Sequence, residues 1–331
     1  MPQYLPIKNI SQAFQKGGIY FVLIFLVLGT GIIEPSFLSI INLKNVLQIS
    51  AVRVIIALGV GSILITRGTD LSSGRIVGLT ACIAASLMQK PDYAYKMFPD
   101  LPILPLIAPI IAVIVVGLFI GTANGLIIST FQIPPFIATL GMMVIVYGLS
   151  SLYTNAQPIG GLRQDFTNIA TGSTLNIPNL ILISGVIIAT IWFLLNKTVL
   201  GKYIYSIGSN TAAALVSGVN VKSTIIKTYA LGGALYGLAG LLLAARTGGA
   251  TNNYATMYEL DAIAACTIGG VSTAGGIGTV SGIVTGVLIF EVLNNGLVIL
   301  GVSPYWQQII KGVIIIAAIA FDTRKYINAK R

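Results

Sequence analysis

Long apolar stretches alternate with short polar ones along the whole chain. They fall at residues 19–38, 49–66, 74–88, 103–130, 134–153, 177–196, 225–245, 258–274, 277–300 and 306–321. A helix needs about 20 apolar residues to cross a bilayer, so the pattern predicts about ten transmembrane helices. The first run ends at Glu34-Pro35 with no small-residue cleavage site behind it, which predicts a retained helix rather than a signal peptide. Pro105 and Pro109 predict a lead-in segment before the fourth helix. Gly269, Gly270, Gly275 and Gly276 interrupt the eighth run and predict a half-helix or re-entrant turn. Such backbone is tolerated at membrane depth only where protein or a water-filled cavity satisfies it. The fold class expected is all-α, a polytopic helical bundle forming one domain over 1–331.

Composition agrees, since 55% of the 331 residues are hydrophobic and only 8% charged, against about 25% charged in ordinary globular domains. The net charge of +10 would raise nucleic acid as a partner in a soluble protein, but here it resolves into an orientation. With ten spans and both termini inside, the inner segments hold Lys8, Lys16, Arg67, Arg75, Lys197, Lys202, Lys222, Lys227, Arg324, Lys325, Lys330 and Arg331 against Asp70 and Asp322. The outer segments hold Lys44, Arg53, Lys90, Lys96, Arg163 and Arg246 against Glu34, Asp92, Asp100, Asp165, Glu259 and Asp261 and carry no net charge. Cytoplasmic loops are the basic ones, so tails at 1–18 and 322–331 and a long loop at 197–224 are expected on the cytoplasmic face, with no nucleic-acid partner.

The two halves resemble each other. NGLIISTFQIPPFIATLG at 124–141 and NGLVILGVSPYWQQIIKG at 295–312 share Asn-Gly-Leu, a later Pro and a closing Gly. Asp70 in GTDLSSG pairs with Asp261 in YELDAIAA. Matched elements lie five spans apart, an odd number, which predicts inverted five-helix repeats of the kind that enclose a transport path near the midplane.

The inventory narrows the chemistry. No histidine is present, which removes His-based triads and two-His zinc motifs and weakens any membrane-enzyme reading; no catalytic residue and no metal site are expected. Cys82 and Cys266 lie within apolar stretches without a partner at ligand spacing and read as small buried hydrophobes. The one Gly-Lys pair, Gly201-Lys202, is followed by Tyr203 and has Asn196 five residues before its Gly, so it is not a phosphate-binding G-x-x-x-x-G-K-[ST] loop. Membrane-depth polar residues are costly and often functional. Asp70, Asn124, Glu259, Asp261, Asn295 and Trp306 are therefore pathway candidates, although turn capping accounts equally for Asp70 and Asp261, and an interfacial aromatic belt for Trp306. Arg53, Arg67 and Arg75 are expected to snorkel to an interface, and Glu291 and Lys311, deep in the last two spans, are a candidate buried pair. The glycine-rich run LGGALYGLAG is expected to pack helices closely.

The long polar loop contains GKYIYSIGSNTAAALVSGVNV. Asn210 is placed to cap a short helix over residues 211–216 and Gly218 to end it, a unit suited to docking on another protein. This segment, with GTDLSSGRIVGL, YELDAIAACTIGG and VSPYWQQIIKGVIIIAAIAFD, resembles the ribose and galactose branch of bacterial sugar ABC importer permeases over about residues 17–326. It departs from the commonest pattern at Ser209, where Gly is usual, and Thr211, where Glu or Pro is common. The resemblance implies an inner-membrane permease that works as a homodimer, receives a monosaccharide from a periplasmic binding protein and is driven by a separate cytoplasmic ATPase subunit, with ATP and Mg on that subunit and no cofactor on this chain. It places Gly208, Asn210, Ala212, Ala213, Ser217 and Gly218 on the ATPase-coupling motif. Galactose or a methyl galactoside is the substrate expected, with ribose or another pentose the alternative and a branched-chain amino acid a remoter one. An ion-coupled secondary transporter working through buried carboxylates such as Asp70 and Glu291 is the rival from another class.

Overall fold

The computed structural model describes the backbone of residues 8–330 and the side chains of residues 20–320. The tail charges Lys8, Lys16, Asp322, Arg324, Lys325, Lys330 and Arg331 lie outside the described side chains. Thirteen α-helices follow in order: α1 (Lys8–Ile33), α2 (Ile40–Ile65), α3 (Ser73–Leu87), α4 (Ile107–Phe131), α5 (Pro135–Thr154), α6 (Gln164–Thr171), α7 (Asn179–Lys197), α8 (Val199–Ser209), α9 (Thr211–Val216), α10 (Val221–Thr247), α11 (Tyr258–Ile268), α12 (Val280–Ile299) and α13 (Pro304–Lys330). A two-residue hairpin, β1 (Ser173–Thr174) with β2 (Ile177–Pro178), is antiparallel and lies between α6 and α7.

Each of the ten apolar runs carries one helix. Six helices are long and apolar enough to cross a membrane, and residues 20–33, 73–87 and 304–320 form shorter apolar helices. The lead-in before α4 and the early end of α11 are as expected: α11 spans 11 residues, about 16 Å at 1.5 Å per residue. Three boundaries differ. α2 begins at Ile40, not residue 49, because Ser39 caps it and the Asn42 amide donates to the Phe37 carbonyl at 2.8 Å. The segments expected as tails at 1–18 and 322–331 are helical where described, as extensions of α1 and α13.

α2 and α10 form the centre, with 83% and 78% of their most apolar windows buried against 17% for α5. Glycines set how close α10 comes to its neighbour. A Cβ on Gly233 would lie 2.0 Å from the Gly117 carbonyl oxygen of α4, and one on Gly237 would lie 2.2 Å from that of Val113, so backbone meets backbone as in small-residue seams in lipid. The packing partners repeat: α10 packs on α3 and α4 as α2 packs on α11 and α12, and α3 meets α5 as α11 meets α13. Exchanging α2–α5 with α10–α13 thus preserves the arrangement of neighbours, the relation expected of the duplicated halves.

Candidate functional site

Two short helices have starts that meet. α3 follows the irregular segment 66–72 and α11 follows 248–257. Contact is so close that a Cβ on Gly74 would sit 2.1 Å from Glu259 Oε2 and 2.5 Å from the Ala255 carbonyl oxygen. Ala255 and Met257 hold left-handed backbone at φ 56° and 66°, a costly conformation for non-glycine residues that tends to occur at functional sites. Arg75 spans the junction, donating to Thr256 Oγ1 at 3.2 Å and stacking 4.5 Å from the Tyr147 ring centroid.

Asp70 is fully buried at the α3 side of this junction. Its Oδ1 accepts from the Ser72 amide at 2.9 Å and the Ser72 hydroxyl at 2.6 Å, while the Asn124 amide of α4 donates to the same hydroxyl at 2.9 Å. Thr139 of α5 accepts from the Leu71 amide and donates to the Thr69 carbonyl, which also receives the Tyr229 hydroxyl of α10. Asn124 Oδ1 is buried without a partner, and the buried Tyr236 hydroxyl interacts with the Asp70 carboxylate.

The equivalent place in the other half is ionic. The Arg53 guanidinium of α2 contacts Glu291 Oε1 at 2.5 Å and Asp261 Oδ2 at 3.2 Å, and lies 4.8 Å from the Tyr258 ring centroid. Lys311 Nζ of α13 lies 3.5 Å from the same Asp261 oxygen. This corrects several expectations. Glu291 pairs with Arg53 rather than Lys311, and Lys311 reaches Glu291 only through Asp261 and Arg53. Arg53 does not snorkel and lies in no loop; it is midway along α2, where its charge offsets those of the two carboxylates. Arg67, exposed just past α2, and Arg75 also have protein partners.

Of the other candidates, Asn295 lies away from the junction and accepts from the Asn42 amide at 2.9 Å, fastening the start of α2 to α12. Trp306 is 61% exposed in the first turn of α13. Cys82 and Cys266 are buried and free.

At one end of the bundle, α8 and α9 form a layer of their own. Thr198 caps α8, and Asn210 Oδ1 accepts the Ala213 amide at 3.0 Å to cap α9, which turns out at Gly218 with φ 83°. Ile207, Ala214 and Val219 form the small apolar core beneath, while Leu215 and Val216 are 64% and 89% exposed. Arg67, just past α2, donates to the Gly208 carbonyl at 2.7 Å and the Ser209 carbonyl at 2.9 Å. The Gly276 amide donates to the Ile65 carbonyl at 2.8 Å, and the Tyr205 hydroxyl to the Gly278 carbonyl at 2.9 Å. A Cβ on Gly208 would lie 1.7 Å from the Ile65 oxygen. The layer is therefore fixed to the end of α2 and to the 269–279 loop. Sequence reasoning placed the α9 cap but read α8 as part of a polar loop, and missed the partners of Arg67 and Tyr205, which are distant in sequence.

Residues 42–319 match the family model described as branched-chain amino acid transport system / permease component. The chain belongs to that family. This permease is 49% identical over 330 residues to the galactose/methyl galactoside import permease protein MglC of Escherichia coli strain K12, covering 98% of both chains. It is 47% identical to the protein of that name from Haemophilus influenzae, again over 98% of both. It is 38% identical over 94% of both chains to the ribose import permease protein RbsC of E. coli strain K12. No solved structure matches it.

Proposed function

We propose that this chain is the membrane-spanning subunit of an ATP-driven importer for galactose or a methyl galactoside. The observation that carries this is the near full-length identity to the galactose/methyl galactoside permeases, 49% and 47%, higher than the 38% to the E. coli ribose permease. The chain is a single permease domain, 1–331, in the bacterial inner membrane with both termini cytoplasmic, and two copies enclose the path. A periplasmic binding protein delivers the sugar. A separate ATPase subunit, holding ATP and Mg, docks on residues 197–224.

The way α8 and α9 are fastened supports the coupling role of Gly208, Asn210, Ala212, Ala213, Ser217 and Gly218. Force on the exposed Leu215 and Val216 side reaches α2 directly through Arg67, and by way of the 269–279 loop through the Tyr205–Gly278 and Gly276–Ile65 hydrogen bonds, not through a flexible tether. The converging starts of α3 and α11 support Asp70, Asn124, Glu259 and Asp261 as path residues, since half-helix termini at mid-depth are where transporters place substrate. Asn295 and Trp306 are secondary candidates, at the outer end of the path.

Isolation of the native complex tests the reading. An ATPase subunit and a sugar-binding protein are expected to copurify, and the chain alone is expected to hydrolyse no ATP; ATPase activity of the chain by itself would refute it. Asn210→Ala is expected to weaken retention of the ATPase subunit, because removing an N-cap costs about 1 kcal/mol of helix stability. Quantifying the copurified subunit checks this, and full retention would show that the α9 cap does not support docking.

A further inference from the structure

We propose that the cavity between α2, α11 and α13 is a transient binding station for a neutral monosaccharide on the transport path. This rests on the sugar-permease reading above and assigns it a place. The cavity has a volume of about 320 Å³ and is lined in part by Arg53, Tyr258, Asp261, Gln308, Lys311 and Gly312, at the lower end of the range of about 300–1,000 Å³ typical of small-molecule sites.

Its electrostatics select the ligand class. Among the lining groups Arg53 and Lys311 are matched by Asp261 and by Glu291 behind them, while the nearby Arg246 donates to Asn45 outside the lining. A charged ligand would unbalance a set already neutral, whereas a polyol adds hydrogen bonds without adding charge. The set has hydrogen-bonding capacity to spare. Asp261 uses Oδ2 in its ion pairs, leaving Oδ1 to accept. An ammonium has three donors, and Lys311 makes one ion-pair contact. Donors and an acceptor on one wall suit adjacent sugar hydroxyls, while Tyr258, Ile315 and Ile316 offer apolar surface to the C–H edge of the ring. The place is also suited to transit: Arg53 is 12 residues before Ile65, about 18 Å along α2, and thus near mid-depth. The matching position in the other half, Asp70, is closed, with no exposure at all. One half-site is therefore shut and the other open.

Gly312 gives a direct test. A Cβ there meets nothing within 4 Å, so Gly312→Cys puts a thiol in the cavity without a clash, and the native Cys82 and Cys266 are fully buried and silent. In the complex with its ATPase subunit and binding protein, during turnover, galactose is expected to slow alkylation of G312C, whereas sucrose, a disaccharide, has no effect. Gly141→Cys on α5, equally free of clashes, is expected to label at one rate with or without galactose. The balanced double variant Asp261→Asn/Lys311→Met is expected to need about tenfold more galactose for the same protection, the loss of one charge-assisted hydrogen bond. Should G312C disturb assembly, Ile316→Cys on the same wall serves as the probe. Galactose uptake with labelling unchanged by galactose would overturn the station while leaving the permease reading intact. A wild-type complex that moves no monosaccharide would overturn both.

Discussion

Replacing Gly208 by alanine is expected to cut ATP-driven sugar uptake by at least about tenfold and to remove the stimulation of ATP hydrolysis by substrate. The added methyl would lie 1.7 Å from the Ile65 carbonyl oxygen and 2.5 Å from the Gly276 amide nitrogen. Both are backbone atoms, and they are bonded to each other at 2.8 Å, so neither yields as a side-chain tip would. Relief requires α8 to lift from α2, which strains the Arg67 hydrogen bonds to Gly208 and Ser209 as well. Overpacking of this kind costs about 1–3 kcal/mol, and here it falls on the contact that carries force into the membrane. Gly141→Ala, which meets nothing within 4 Å, is the control and is expected to transport normally. Uptake by proteoliposomes and the melting temperature of the complex separate uncoupling from misfolding. A folded G208A complex with normal uptake would show that the α8–α2 contact transmits nothing.

Replacing Arg53 by methionine is expected to destabilise the permease severely, by about 3–5 kcal/mol, the cost of breaking a buried ion pair from one side. Glu291 would lose its 2.5 Å partner and Asp261 would keep Lys311 alone. Glu291 is 3% exposed, so water cannot take over. Arg53→Met/Glu291→Leu removes one charge of each sign, leaves the Asp261–Lys311 pair, and is expected to recover most of the loss. A Glu291–Lys311 pair would instead require that neutralising both together restore what each alone destroys. Thermal unfolding in detergent distinguishes them: rescue of R53M by E291L supports the four-charge cluster, and a double variant as unstable as R53M contradicts it.

The two predictions fall on residues of different legibility, and the reason is range. Helix positions rest on local apolar density, so all ten runs reappear as helices, and the glycines that shorten α11 are themselves local. The Asn210 cap is legible because donor and acceptor are three residues apart. Arg53 was misread because nothing near it in sequence is acidic; its partners stand 208 residues away on α11 and on α12 beyond. The partners of Arg67 were illegible likewise, its acceptors being backbone carbonyls 141 and 142 residues on, which no residue identity announces. The duplicated plan lies between these cases. Its sequence signal was a few shared residues, and what supports it now is that α2–α5 and α10–α13 keep equivalent neighbours. Equivalent positions have diverged chemically, with a buried hydrogen-bonded carboxyl at Asp70 and an ionic cluster at Asp261, and that divergence depends on which side chains the opposite half supplies.

Uptake of labelled galactose into proteoliposomes holding this chain, its copurified ATPase subunit and the binding protein tests the central claim most directly. Uptake is expected only with all three proteins and ATP, and to be indifferent to an imposed proton or sodium gradient. Uptake by this chain alone, driven by either gradient, would contradict the account and establish an ion-coupled transporter instead.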